Sequence, residues 1–436
     1  MTLHDLRQSI QGRVLLPGDS EFEQAARPWN LAIDQRVGAV VEAAGVDDVA
    51  AVLAQARAAG TPVVTQPTGH GATGDIDGAI LVRTHRFDRL EIDAEARVAR
   101  VGSGVSWGRI QKAAAAHGLT GLAGSNPAVG VTGYTLGGGA GWFTRKFGWA
   151  SDAVRAFEIV AADGRPARVT AANDPELFWA LRGGGGDFGI VTGLEFDLFP
   201  LPSVYGGRVM FPGERVAEVW ETFQRLTADA PVELSVWFQR FQFPGAPEMA
   251  AIDIAYLGDV EAGRAAVAAL DDLGGALSDN RGALTPAEIG AITAEPTDPS
   301  PSLSRGELLT DLGDEVTKVL VRDAVAPLLN IQVRGLGGGF ATARPEGGAR
   351  GPVTEPYMLY LLGPGLPEVR EAVADRQRAV VAALGEHIST RKPYTFLSPG
   401  ESAAAAFDEA TLARLRELKR NRDQHNTIRA NFPVLG

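Results

Sequence analysis

The sequence predicts an α+β fold in two units, and three features carry that prediction. Short apolar runs alternate with helical patterns from the first fifty residues onward, and dense glycine clusters punctuate the chain up to about residue 200. At Pro200-Leu201-Pro202 the character changes. Beyond it the glycine clusters stop and strands alternate with helices, the pattern of an antiparallel sheet backed by helices. A chain of 436 residues, 45% hydrophobic and 22% charged, is long enough for two or three such domains and ordinary for a globular protein.

In chain order, Val37 to Ala43 reads as a strand. Asp47 to Ala58 reads as a helix with acidic residues in its first turn and a stop at Gly60, and Thr61 to Thr65 as a second strand. A strand, helix, strand unit of this kind implies parallel pairing. Residues 79–84, 90–93 and 97–102 are short strands, and a helix from about Ser106 to His117 buries Trp107, Ile110, Ala113 and Ala114 on one face. Phe157 to Ala161 enters a hairpin at Ala162-Asp163-Gly164. Asp174 then caps a short helix that has Pro175 at its first position.

In the second unit, strands are expected at 204–211, 232–243, 249–257, 330–336 and 357–362, with helices near 214–228, 260–273 and 367–384. The stretch from Ser278 to Leu312, rich in Pro, Gly, Ser and Asp, reads as a surface loop. Thr411 to Arg420 is an amphipathic helix.

Two glycine-containing stretches carry the chemistry. Gln66-Pro67-Thr68-Gly69-His70-Gly71 follows a strand, and its small residues let backbone N–H groups approach an anionic ligand around one imidazole. Gly124-Ser125-Asn126-Pro127-Ala128-Val129-Gly130-Val131-Thr132-Gly133-Tyr134 continues through Gly137, Gly138, Gly139 and Gly141 to Trp142; its glycines are too dense for ordinary core or helix. Such a segment can wrap a large, flat, phosphorylated cofactor. A third cluster, Gly184, Gly186 and Gly189, satisfies G-x-G-x-x-G, but a helix precedes it and a strand follows, the reverse of what a dinucleotide site of that kind needs.

The first two stretches, in this order, resemble the FAD-linked oxidases of the berberine bridge enzyme type, within the vanillyl-alcohol oxidase and p-cresol methylhydroxylase superfamily. The resemblance implies a PCMH-type FAD-binding domain over 1–203, a substrate domain over 204–388 and a segment, 389–436, that returns to the first domain. It implies FAD bonded through its 8α-methyl to His70, with Gln66, Thr68, Gly69 and Gly71 around it. Gly124, Ser125, Gly130, Val131, Gly133, Tyr134, Gly138, Gly139, Gly141 and Trp142 would hold the ribityl chain and pyrophosphate. Backbone near Gly189, Ile190 and Val191, and Asn431 of the closing motif, complete the contacts. Many relatives carry a second link from a Cys where this chain has Asn126, so any covalent link is through His70 alone. Asp187 replaces the Asn more usual in the third cluster. Val131 lies where relatives control access of dioxygen, and a small residue there implies an oxidase.

The base is open. Relatives use a Tyr two residues before an Asn on a late strand, and here the register puts Thr395 at the Asn and Pro393 at the Tyr. A shifted register would restore Tyr394; otherwise Tyr357, Tyr360 or another residue of the substrate domain serves, or no dedicated base exists. Along 234–241, Trp237, Gln239 and Phe241 share one face; one of the two faces packs on helices and the other covers the flavin, with Gln239 or Arg334 as polar contacts, but the sequence does not say which face is which.

The expected activity is oxidation of a small or mid-sized organic substrate with dioxygen as acceptor, in secondary metabolism or on a sugar. A non-oxidative cyclisation or isomerisation on an FAD scaffold, and a binding protein with vestigial FAD, are the alternatives. The net charge of −12 argues against nucleic acid and anionic membrane as partners. The absence of cysteine excludes disulfides, thiolate catalysis and Cys-ligated metal, and no metal site is expected. Residues 1–8 lack the basic and apolar regions of a signal peptide and no apolar run reaches spanning length, so a cytoplasmic protein is expected. The oligomeric state is not legible.

Overall fold

The computed structural model describes residues 3–436; Met1 and Thr2, the start of the segment read above for a leader, lie outside the described residues. Among the described residues no helix is long and apolar enough to cross a membrane.

The first sheet runs in the spatial order Arg13–Leu15, Ala39–Glu42, Ile80–Arg83, Val63–Thr65, Ile428–Arg429. Its four last-named strands pair in parallel. The connection from Ala39–Glu42 to Val63–Thr65 is the helix Val46–Ala59, whose C-cap Gly60 sits at φ +66, a conformation only glycine adopts without strain. Its buried face, with Val49, Val52, Leu53 and Ala56, closes a core over Val41, Val63, Ile80 and Val82. The strand that leads to the His70 loop is therefore flanked on one side by the chain's last strand.

A second, antiparallel sheet follows in the order Leu90–Asp93, Val98–Gly102, Ile190–Asp197, Val154–Val160, Pro166–Val169. Helix Pro175–Leu181 precedes the glycine cluster, with the Asp174 side chain accepting from the Leu177 N–H at 3.2 Å, and strand Ile190–Asp197 follows it. This is the context that rules out a Rossmann nucleotide turn there.

The third sheet has eight strands. Seven lie in the order Ser278–Asp279, Val204–Pro212, Met249–Tyr256, Leu234–Phe241, Asn330–Gly335, Tyr357–Pro364, Ser302–Leu309, and Gly282–Leu284 also pairs with Val204–Pro212. Strand alternation gives it one apolar and one polar face. Ile252, Ile254, Val236, Phe238, Ile331, Val333, Leu359 and Leu361 pack under helices Val216–Ala228 and Arg370–Leu384. Trp220, Phe223 and Phe238 meet there with ring centroids 4.9–5.9 Å apart. Burying each such ring is worth about 1.5–3 kcal/mol, enough to decide which face of the sheet is covered by helices.

Two expectations are corrected. Residues 278–312 are not one loop: Ser302–Leu309 is a full strand of the large sheet. Its polar Arg305 and Glu307 mask the strand pattern, and they are satisfied by each other at 2.7 Å and by Lys392, which reaches Glu307 at 2.8 Å from a remote part of the chain. Inside the second glycine stretch, Val131–Leu136 forms a short helix despite its glycines, started at Gly130 by tertiary contacts. The Val131 N–H donates to the Val105 carbonyl at 2.9 Å, and Thr132 Oγ1 to the Ser103 carbonyl at 2.9 Å.

Candidate active site

The two stretches meet. A Cβ at Gly130 would lie 3.5 Å from the side chains of Pro67 and Thr68, while one at Gly133 would meet nothing within 4 Å, so the helix Val131–Leu136 turns one bare backbone face to open space. Gly138 and Gly139, at φ +104 and +76, fold the following segment back onto the Tyr134 ring, which a Cβ at Gly139 would strike. Gly124 and Gly141 close on each other in the same way, and Ser125 lines a small cavity with Gly124, Trp107 and Gly290. Val131 is fully buried.

In the first stretch, Thr68 Oγ1 is 2.8 Å from His70 Nδ1 and the Trp29 ring stacks on the imidazole, with centroids 4.2 Å apart and planes within 16°. The other ring nitrogen, Nε2, is buried with no partner among the described residues. Burial lowers the imidazole pKa to about 4, so the ring is neutral at pH 7. Gln66 is buried against Gln35, to which its Nε2 donates at 2.7 Å, and Gly69 takes φ +82 against Pro28. Gly71 offers its carbonyl to Asn431 Nδ2 at 2.6 Å. The closing motif thus clamps the His70 loop directly.

Asp187 makes that clamp hold. Its carboxylate, 1% exposed, accepts the N–H groups of Ala430 at 2.9 Å and Val434 at 2.7 Å. Lys419 Nζ donates to the Asp187 carbonyl at 2.8 Å, to Asp423 at 2.8 Å and to the Ile428 carbonyl. The departure from the usual Asn is explained: a carboxylate accepts twice here, whereas an amide accepts with one oxygen only. By contrast, Ile190 and Val191 enter the apolar cores with their backbones paired to Val160 and Ile159, and Gly189 packs on Ile159. Pairing on the strand's other edge begins only at Gly193, opposite Gly102.

The polar face of the large sheet looks toward the second stretch. Trp142 stacks on Trp237 at 3.6 Å between centroids, and Ser235 Oγ donates to the Trp142 carbonyl at 3.0 Å. Across the strands, Trp237 pairs with Arg334, Gln239 with Gln332, and Gln332 with Tyr360. Trp237, Gln239 and Phe241 therefore belong to the site face, and Phe238 and Arg240 to the helix-covered one. Asp253, fully buried on the site face, is held by Arg208 at 2.5 and 2.8 Å and by Gln239. Nothing in the sequence marked Asp253 or Trp29, because their partners lie far away in the chain.

The two candidate tyrosines separate. Tyr394 lies in a 3-10 turn, Tyr394–Phe396, and not on a strand. Its ring is packed among Phe407 and Phe432, and its hydroxyl donates to the Phe432 carbonyl at 3.0 Å. The adjacent Thr395 instead faces Gly137 of the second stretch, 3.3 Å from a would-be Cβ there. Tyr360 stands on the site face, its ring 5.3 Å from the Arg334 guanidinium and 6.3 Å from Phe396. Burial raises its pKa, while Ser304 and the Arg334 charge pull it down. Tyr134, whose hydroxyl is buried without a partner among the described residues, is raised by burial and also feels Arg334.

This arrangement fits a flavin. A free, neutral imidazole nitrogen, an unpartnered Tyr134 hydroxyl and the bare backbone at Gly133 are compatible with a bound FAD. Residues 37–170 match the family model of an FAD binding domain. The chain is 32% identical over 293 residues to (R)-6-hydroxynicotine oxidase of Paenarthrobacter nicotinovorans, an alignment covering 66% of this chain and 64% of that one. The aligned part thus spans under two thirds of that curated relative. Among solved structures, the crystal structure of 6-hydroxy-D-nicotine oxidase from Arthrobacter nicotinovorans superposes with TM-score 0.86 at 24% identity, covering 98% of both chains. A single-site variant of berberine bridge enzyme superposes with TM-score 0.84 at 17% identity over 99% of both. The protein is therefore one with an FAD-binding domain and the vanillyl-alcohol oxidase and p-cresol methylhydroxylase fold. Its fold is shared with berberine bridge enzyme and with 6-hydroxy-D-nicotine oxidase.

Proposed function

We propose that this protein is an FAD-linked oxidase of a small organic substrate, with the flavin bonded to His70 and dioxygen as acceptor. The observation that carries the reading is the His70 imidazole, neutral, stacked and with one nitrogen free, at the point where the two cofactor stretches meet. A flavin held there would supply the hydride acceptor for the substrate and the route of its electrons to dioxygen. A histidyl link raises its potential, and for a two-electron couple ~30 mV is worth ~1.4 kcal/mol.

The chain's own residues orient and deprotonate. Thr68 and Trp29 fix the plane of His70, and Asn431 holds the loop against Gly71. Residues 1–203 and 389–436 hold the cofactor, and 204–388 cover the substrate with the face that carries Gln239, Gln332, Arg334 and Tyr360. Tyr360 in its phenolate form, which the Arg334 cation beside it favours, accepts the substrate's hydroxyl or amine proton and becomes the neutral phenol. Tyr394, whose proton is committed to the Phe432 carbonyl, buttresses the wall. Val131, a small side chain, is the position that sets access of dioxygen.

The test is peroxide release. Purified protein incubated aerobically with a panel of alcohols, amines and aldoses should consume dioxygen and release peroxide with at least one of them. Product formed under strictly anaerobic conditions, over many turnovers and with the flavin still oxidised, would replace this reading with the non-oxidative one.

A further inference from the structure

We propose that Arg334 is the receptor for a carboxylate on the substrate, which makes the substrate class an aryl or alkyl carboxylic acid rather than a neutral molecule. The proposal rests on the oxidase reading above and deepens it. A small cavity lies between the second glycine stretch, at Ala140 and Gly141, and the large sheet, at Trp237, Arg334 and Met358, with Phe396 at its edge. Two arginines line it, and they differ. Arg145 spends its terminal nitrogens on the carbonyls of Leu336, Ala230 and Pro231. Arg334, only 9% exposed, makes one hydrogen bond among the described residues, from Nε to Gln332, and its two terminal nitrogens have no partner.

A guanidinium this deeply buried ordinarily has a carboxylate opposite it. Here Glu295 and Asp253 are the carboxylates whose charge reaches Arg334, and neither comes within ion-pair distance. Asp253 is already committed to Arg208. The guanidinium plane is held by stacking, 4.0 Å from Trp237 and 5.5 Å from Phe396, so the free fork is oriented before any ligand arrives. Two parallel N–H donors in a rigid plane match the two oxygens of a carboxylate. With the terminal nitrogens of Arg145 committed to carbonyls, no second free guanidinium fork among the described residues lines the cavity to take a dianion such as a phosphate monoester. The walls of Trp237, Met358 and Phe396 suit a flat apolar remainder, and Tyr360, 5.3 Å from the guanidinium, lies within one small molecule's reach of it.

The test is equilibrium binding to the flavoprotein as purified, read by tryptophan fluorescence and by the flavin difference spectrum. The probes are benzoate, phenylacetate and indole-3-acetate, each paired with its neutral amide. At least one acid should bind about tenfold or more tighter than its amide, and Arg334→Met should weaken the acid by about 10- to 100-fold while leaving the amide unchanged. Arg334→Lys should recover part of the loss. If Arg334→Met fails to fold, the acid and amide comparison on the native protein together with Arg334→Lys decides. Equal binding of every acid and its amide, or unchanged acid affinity in Arg334→Met, would overturn the proposal. So would a Met variant whose flavin potential shifts while acid affinity stays, since Arg334 would then serve the cofactor. Absence of peroxide with every substrate would count against the oxidase reading and leave this titration intact.

Discussion

Replacing Asp187 tests how the end of the chain is fastened to the cofactor loop. In the native protein its two oxygens satisfy the N–H groups of Ala430 and Val434, in a place sealed from water. Asp187→Ala removes both acceptors at once. A buried donor left without a partner costs about 1–3 kcal/mol, so the tail should lose about 2–6 kcal/mol of its resistance to opening. Asp187→Asn keeps one acceptor oxygen and turns an N–H toward the other donor, which places it at about half that loss. Amide hydrogen exchange over residues 426–436 reads the opening directly. A loss of about 2 kcal/mol speeds exchange about 30-fold, with the Asn variant between Ala and native. Because Asn431 holds Gly71, flavin content should fall in the same order. Tail exchange in Asp187→Ala within about threefold of native would refute the assignment of the anchor to Asp187.

Three further outcomes are expected. The flavin should remain with the protein after acid precipitation, and His70→Ala should make it extractable; native protein that already releases its flavin in acid has no covalent link. Tyr360→Phe should slow flavin reduction in stopped flow by ~10²–10⁴ with flavin still attached, whereas Tyr394→Phe should chiefly lower thermal stability, and a normal reduction rate in Tyr360→Phe removes that residue as base. His387, 2.8 Å from Asp311, has its pKa raised above 6.5 by that carboxylate, so the pair's small contribution is complete below 6.5 and lost as pH rises through the raised value; an NMR titration should show the midpoint return toward 6.5 in Asp311→Asn.

Much of this architecture was legible in the sequence because it is local. The helix at 46–59 announces itself by acidic first-turn residues, apolar spacing and Gly60, and the hairpins and the Asp174 cap by equally short-range signals. The glycines of the His70 loop and of the second stretch stood out for a related reason: positive φ and close backbone approach, as at Gly69, Gly138 and Gly139, favour glycine. Composition excluded disulfide and thiolate chemistry outright.

What the sequence left open required contacts between distant residues. Strand alternation divided 234–241 into two faces, but only packing against helices Val216–Ala228 and Arg370–Leu384 decided that Trp237 and Gln239 take the face turned away from those helices. Ser302–Leu309 was hidden as a strand because Arg305 and Glu307 read as polar until Lys392 is brought beside them. Tyr394 and Tyr360 looked interchangeable by spacing, and they differ because one hydroxyl meets a carbonyl 38 residues away while the other stands on the sheet face opposite the helices, beside Ser304 and Arg334. Asp187 read as a mere departure until the folded chain set two N–H groups from its own terminus against the carboxylate. Periodicity records which face a residue takes within its own element; what that face then meets is set by burial and pairing across the whole chain.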